Sequence, residues 1–495
     1  MIAVYFLVGI PLFGAILLGV IGHKQAGSRI NLLLSFLTML ASLYLVFIIS
    51  EQHTLGGDDS EFYIDSLNVY LLALTAVVGF TTAFFSSPYM LHEAKVRNLS
   101  DTRMRLYHSS YQGFIFTMLL GLSTNNLGVL WVSLEGATLT TVLLVSLYRT
   151  PSSIEAAWKY FILCGVGIAQ ALFGTVLLYF AAAKVIPNVE DSLLWTQLFA
   201  HAGELSPVII TIAFVFLLVG YGTKVGLVPL HNWLPDAHSE GPTPMSAVLS
   251  GLLLNVALYA LIRIKMITDL ALAGEQTVHI QNLAGYLMMG FGLISFTVAV
   301  LFLHRQRDIK RLFSYSSIEH MGLMTFAFGL GTPLSTFAGL LHMLVHGLTK
   351  SAIFISVGHA AQIAGTQSIE KIRGLIKTQP KVGWGLLIGT AAIAGFPPFG
   401  IFTSEFLLLS STVHTYPWLA IPLLMGLSIA FAGLFKHIQP MCFGEPPEGQ
   451  QPVNATMWPV FLHLFIVLWL GLAIPEQLSQ WFNNVTILIT GSGVL

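Results

Sequence analysis

The sequence predicts an all-α polytopic membrane protein of about 14 transmembrane helices, with two inverted five-helix repeats. Three observations point there. Of 495 residues, 55% are hydrophobic and only 9% charged, whereas a soluble domain is roughly 25% charged. Apolar stretches of about 20 residues recur along the whole chain, each long enough to cross a ~30 Å hydrocarbon layer. Two of these stretches are interrupted by proline and glycine in matching places.

In order, the predicted spans are 3–21, 30–50, 66–88, 111–124, 126–148, 156–182, 207–229, 243–267, 279–303, 312–331, 333–361, 381–411, 418–441 and 455–474. The first lacks the basic stretch of a cleaved secretory signal and reads as a retained helix. Residues 1–110 form an N-terminal three-helix segment, 111–267 the first repeat (spans 4–8), 279–441 the second (spans 9–13), and 455–495 a final helix and tail. The tail after Pro475 is too mixed in character to assign. Span 7, "VGYGTKVGLVPLHNWLPDAH", holds Pro229 and Pro235; span 12, "AAIAGFPPFGIFTSEFLLLS", holds Pro397 and Pro398. Each is the fourth member of its set of five. Because five is odd, the second set enters the membrane from the opposite side. Paired interrupted spans are the sequence mark of inverted repeats, and broken backbone at that depth persists only where protein or water satisfies it.

Lysine and arginine set the orientation. Fifteen of the 22 fall in loops on one side, including Arg103, Arg105, Arg149 and the run "HRQRDIKR" at 304–311, which reads as a topogenic loop facing anionic lipid. Only Lys184, Arg263 and Lys265 are expected on the other side, so both termini should face out. Cys164 and Cys442 form no C-x-x-C pair, leaving no framework for an iron–sulfur cluster, zinc or a disulfide set. There is no G-x-G-x-x-G or P-loop, and net charge is -1, so neither nucleotide nor nucleic acid is an expected partner. No metal and no cofactor are expected in this chain.

Glu135, Lys224, Lys350 and Glu405 fall near the middles of predicted helices. Each charge there costs about 2.5–3.5 kcal/mol, so these groups must pair, meet water or titrate. Glu135–Lys224 and Lys350–Glu405 as static pairs are one reading; proton switches are the other, favoured by the neighbouring histidines. In "HMLVHGLTK", His342, His346 and Lys350 lie four residues apart on one helical stripe. Neutral imidazole both donates and accepts, so the stripe reads as a wire ending at a switch. Glu319 and His320 could extend it, and Lys436 and His437 could be exit groups. His231, Asp236, His238 and Glu240 surround prolines, where a hydrogen-bonded cap or cytosolic proton access is expected. Lys159 is expected to snorkel.

"YGTKVGLVPLHNWLPDAHSEGPTPMSAVLSGLLL", "DIKRLFSYSSIEHMGL", "HMLVHGLTKSAIF" and "AGFPPFGIFTSEF" resemble the antiporter-like family of proton-translocating subunits. That family includes complex I subunits L, M and N, Mrp cation/proton antiporter subunits, and membrane subunits of energy-converting hydrogenases. The resemblance implies a hydrophilic axis across the membrane centre. Glu135 would be its helix 5 acid, Lys224 the broken-helix lysine, Lys350 the central lysine and Glu405 the terminal acid. Asn255 stands where many relatives carry lysine, and a neutral amide can relay through water but hold no charge. "SGLLLNVALYA", "SSIEHMGL", "FTSEF" and "KHIQPMCFGEPP" look most like the branch formed by the F component of hydrogenase-4, of the formate hydrogenlyase type. The implied function is proton translocation in a bacterial inner membrane, within a redox-driven complex. Other membrane-arm subunits and a hydrophilic hydrogenase or dehydrogenase arm would be its partners, and they would hold the redox centres. The alternative is an Mrp-type cation/proton antiporter subunit; a further one is a structural anchor.

Overall fold

The computed structural model describes residues 1–275, 278–447 and 453–494. Among them the chain is nearly all helical, and β-structure is confined to isolated bridges such as Leu55 with Ile64. Ten described helices are long and apolar enough to cross a membrane, among them Ile2–Ile21, Ser66–Val96, Thr243–Leu272 and Pro333–Ala364. The last two are 100% and 94% buried over their most apolar stretch, so they form the centre of the bundle.

Helix ends follow local chemistry. The helix Asp101–Ser123 begins well before residue 111, because Ser100 Oγ accepts the Arg103 N–H (3.3 Å) and starts a polar turn that hydropathy does not register. It runs unbroken through residue 110, so this helix starts at Asp101 rather than at residue 111. The interrupted stretches are split as expected. Pro207–Val225 ends at Gly226 (φ 88°), followed by the short helix Trp233–Glu240. Pro380–Ile393 and Gly400–Thr415 flank a break holding Gly395, Pro397 and Pro398. Pro229 lies in the first break, and Pro235 in the first turn of Trp233–Glu240, where its missing N–H has no helical acceptor. The tail, unassigned from sequence, is the helix Glu476–Thr490, bent 79° from Trp458–Leu472. It is anchored by buried Phe482 and Val485 and by Trp481, whose indole N–H donates to Ser66 O (3.0 Å).

The ends of the elements form two faces. One carries the basic loops: Gln362 donates to Glu93 (3.1 Å), Arg311 to Asp236 (2.6 Å) and Lys377 to Glu445 (2.6 Å). The other holds both ends of the described chain. There Tyr5 packs edge-on against Phe62 (5.5 Å), while Leu488 to Gly491 line a cleft with Lys265. Three cations depart from expectation. Arg263 is no loop residue; it is buried inside the helix Leu254–Leu272 and donates to Asp65 (2.8 Å). Lys265, in the same helix, is also buried and pairs with Asp269. Lys310 is 2% exposed and donates to Gly241 O (2.8 Å), so it does not face lipid.

Helices Leu283–Leu303 and Ile309–Leu330 pack through glycines seven residues apart, Gly285 and Gly292 against Gly329 and Gly322. A Cβ on Gly322 would stand 2.7 Å from Gly292 O, and one on Gly292 2.6 Å from Gly322 O. Small residues let the backbones approach this closely, and the contact fixes the helix that carries Glu319 and His320. Gly322→Val is expected to destabilise the protein by about 1–3 kcal/mol, read as a lower unfolding temperature in detergent. Gly290→Val, whose Cβ would meet nothing within 4 Å, should leave it unchanged.

Candidate functional site

The first group of buried charges forms around Lys224. It lies in the last turn of Pro207–Val225, where the free carbonyls of a helix end favour a cation. It is 0% exposed, with the Tyr160 ring 5.3 Å from Nζ and the Cys164 thiol beside it. Glu135 does not pair with it directly. Lys224 donates to the Thr138 hydroxyl, which in turn donates to Glu135 Oε2 (3.2 Å). One hydroxyl therefore links acid and base. Glu135 is half-buried, between the exposed side chains of Val132 and Leu139, so this end of the group opens to the rim of the bundle.

The second group forms where Pro333–Ala364 crosses Ile309–Leu330. Lys350, 0% exposed, donates to Phe313 O (3.1 Å) and Ser316 Oγ (2.8 Å). The carboxylate within electrostatic reach of it is Glu319. The Lys350–Glu405 pairing is therefore not formed; Glu405 instead lies 4.0 Å from His320 Nδ1. Gly395 (φ 69°) makes room for the Glu405 carboxyl, because a Cβ there would overlap Oε2. This ties the second helix break to the acid it precedes.

Between Lys350 and Glu405 stand three imidazoles. His320 Nδ1 and His342 Nε2 are 3.0 Å apart, and His342 Nδ1 is 2.8 Å from Ser404 Oγ. The Ser404 hydroxyl donates to Ile401 O (2.8 Å). It must therefore accept from His342 Nδ1–H, which leaves His342 Nε2 to accept from His320 Nδ1–H. The hydrogen bonds run in one sense, from His320 to Ser404. The His346 ring lies 5.5 Å from that of His320 and 6.2 Å from that of His342, and among the described residues neither of its nitrogens has a hydrogen-bond partner. Glu319 Oε2 and Glu405 Oε1 are likewise buried without one. Buried polar atoms are almost always hydrogen-bonded, so water is expected to satisfy these atoms.

A π-turn, Leu249–Leu253, in the helix that ends at Leu272 adjoins the second group. A single π-turn often marks a functional position. Ser250 bonds Ser317 (2.7 Å), a Cβ on Gly251 would stand 2.8 Å from Gly347 O, and Asn255 Nδ2 donates to Met343 O (3.1 Å). Asn255 thus bridges to the histidine-bearing helix by its amide, with Oδ1 left open.

The other predicted groups fall elsewhere. His238 is 0% exposed and stacked on Phe354 (4.7 Å), and among the described residues neither nitrogen has a hydrogen-bond partner. His231 lies near Tyr315 (6.5 Å). Lys436 is exposed, and His437 is half-buried beside His304, so these two are not brought to the axis. Lys159 sits at the rim, bound to Glu155 (2.7 Å) and Asp236 (3.4 Å). Sequence reasoning missed His463, which is 0% exposed and bridges Ser351 (2.8 Å) and Thr81 (3.1 Å). A lone histidine in an apolar helix gives no periodic signal; only its contacts with Ser351 and Thr81 do. Among the described residues, no three His, Cys, Asp or Glu side chains are grouped to hold a metal ion.

Comparison with known proteins agrees with this architecture. Residues 124–430 match the family described as NADH:quinone oxidoreductase/Mrp antiporter, transmembrane. The chain is 48% identical over 479 residues to the "Hydrogenase-4 component F homolog" of Methylacidiphilum infernorum (isolate V4), covering 97% of this chain and 98% of that one. It is similar in fold to a chain of the membrane-bound sulfane sulfur reductase, an archaeal respiratory membrane complex, at TM-score 0.87 and 23% identity over 98% and 97% of the two chains. It is also similar to a chain of the Mrp complex from Dietzia sp. DQ12-45-1b, at TM-score 0.83 and 18% identity over 99% and 98%. The long motifs, the two broken helices and the matched span together identify the chain as a member of the NADH:quinone oxidoreductase/Mrp antiporter membrane family.

Proposed function

We propose that the chain carries protons across a bacterial inner membrane, as one membrane-arm subunit of a redox-driven complex. The hydrogenase-4 or formate hydrogenlyase type is favoured, an NADH:quinone oxidoreductase-like assembly next. The observation that carries this is the series of buried ionisable groups through both halves of the chain. It runs from Glu135 and Lys224, past Asn255, to Lys350, Glu319, His346, His320, His342 and Glu405. Each charge at this depth is costly unless it pairs, meets water or titrates, and a merely structural bundle has no need of so many.

In this reading the ten apolar helices are joined by Asp101–Ser123, Ile309–Leu330, Trp458–Leu472 and the broken pair Pro380–Ile393 and Gly400–Thr415 as further spans. The total is the expected fourteen, with the two broken elements in equivalent places of inverted repeats. The basic face is the cytoplasmic one, and both termini are periplasmic. Redox events in neighbouring subunits perturb Glu135. Lys224 then changes its proton, Lys350 follows, and Glu405 supports release. Redox centres belong to the partners: a hydrophilic hydrogenase or dehydrogenase arm and other membrane subunits.

The test is to purify the chain in mild detergent, identify what accompanies it, and reconstitute the assembly in vesicles with a proton-sensitive dye. Proton movement that needs electron transfer is the expected result. Proton movement driven by a sodium gradient alone, without any redox substrate, would favour the Mrp-type antiporter reading instead.

A further inference from the structure

The stripe His342, His346, Lys350 does not end at the lysine. Continued by four-residue steps toward the basic face it reads Phe354, Gly358, Gln362, about 18 Å of helix beyond Lys350. At each step another element supplies a polar group. His238 stacks on Phe354 (4.7 Å). At Gly358 a Cβ would meet Thr243 at 2.8 Å, and the Thr243 hydroxyl bonds Tyr89 OH (2.9 Å). Gln362 Nε2 donates to Glu93 Oε1 (3.1 Å).

The Gln362 end of this run borders a cleft of about 400 Å³ that opens at the basic face, lined by Tyr89, Glu93, Arg97, Tyr148, Lys310 and Gln362. The Glu93 side chain is held in place by three donors. It accepts from Arg97 Nε (2.8 Å), Tyr148 OH (3.2 Å) and Gln362. Lys310 is different. It is 2% exposed, yet its hydrogen-bond partner among the described residues is Gly241 O alone. An ammonium has three donors, and Lys310 lines the cleft. Its charged neighbours are Asp308, Glu93, Arg97 and Glu240. Gly241 caps the short helix whose last turn carries His238, and His238 lies within charge–charge reach of both Lys310 and Lys350.

We propose that Lys310 is the proton-loading group of an entrance at the basic face. It takes protons from the cleft and passes them through His238 to Lys350, with Glu93 positioned to balance its charge. The inference rests on the proton-transport reading above and adds where the protons come in. Lysine suits the task because a buried ammonium can release its proton, whereas arginine stays charged. The bland alternative is that Lys310 serves only to cap Gly241, and the choice of variants separates the two.

The test compares protons moved per electron in vesicles holding the assembled complex, driven by whichever of formate, hydrogen or NADH it oxidises. Lys310→Met and Lys310→Arg should both lose about tenfold or more, with wild-type amounts of assembled complex. Full activity in either variant overturns the proposal; rescue by arginine alone leaves Lys310 a structural charge. If Lys350→Met stops transport while Lys310→Arg does not, the entrance fails and the proton-transport reading survives. If the wild-type complex moves no protons, both fall. Should the Lys310 variants not assemble, Val96→Cys decides, because Val96 lines the cleft and is 66% exposed. Labelling it from the basic face with a bulky membrane-impermeant methanethiosulfonate should slow transport severalfold. Undiminished transport after complete labelling overturns the proposal.

Discussion

Lys350→Met is expected to stop proton transport while the chain still inserts and assembles. Methionine is unbranched and adaptable enough to fill the lysine's space. The substitution removes two hydrogen bonds, to Phe313 O and Ser316 Oγ. Their loss costs about 1–3 kcal/mol, offset by no longer holding a charge away from water. Folding is then close to neutral. Transport is not, because Lys350 stands between the imidazoles of its own helix and the groups toward the basic face. Removing a group that gives and takes the proton lowers a transfer step about 10²–10⁴-fold. Lys350→Arg should fail as well, since it keeps the charge but does not give up the proton. The measurement is dye quenching per electron transferred, with assembly followed on native gels. Full pumping by Lys350→Met would refute the relay.

The second large effect is on stability. Arg263→Met leaves Asp65 buried (3% exposed) without its cation. It also removes the guanidinium packed on Trp195 (4.3 Å) and bonded to Tyr259 OH (3.0 Å). Breaking a buried pair from one side costs about 3–5 kcal/mol. Asp65 also caps the helix Ser66–Val96 by accepting the Leu67 and Asn68 N–H groups, so the damage should spread to that helix start. The double variant Asp65→Asn, Arg263→Met keeps the cap and removes both charges, and should regain most of the loss. Thermal unfolding in detergent of both singles and the double checks this. Strictly additive losses would contradict the pairing.

How much of this was legible in the sequence depends on how each residue announces itself. Lys224, Lys350 and Glu405 stand out because charge is rare in apolar spans, and His342 and His346 because they repeat at helical spacing. The breaks were legible because proline has few places in a helix. Partners were not legible: that Lys350 faces Glu319 while Glu405 faces His320 is a matter of how helices cross. Lys310 was hidden by its neighbours, since in a run of arginines a buried lysine looks like any loop cation. Arg263 and Lys265 were hidden by position, because their helix runs on to Leu272 and takes them inside. The π-turn at Leu249–Leu253 leaves no trace in a stretch that is buried on every side.

The most direct test is an electron cryomicroscopy map of the assembled complex, sharp enough to show ordered water. Density is expected within hydrogen-bonding distance of the His346 and His238 nitrogens, Glu319 Oε2 and Glu405 Oε1, in a file continuous with both faces of the membrane. A dry interior, with these side chains locked to one another and sealed from either face, would contradict the account.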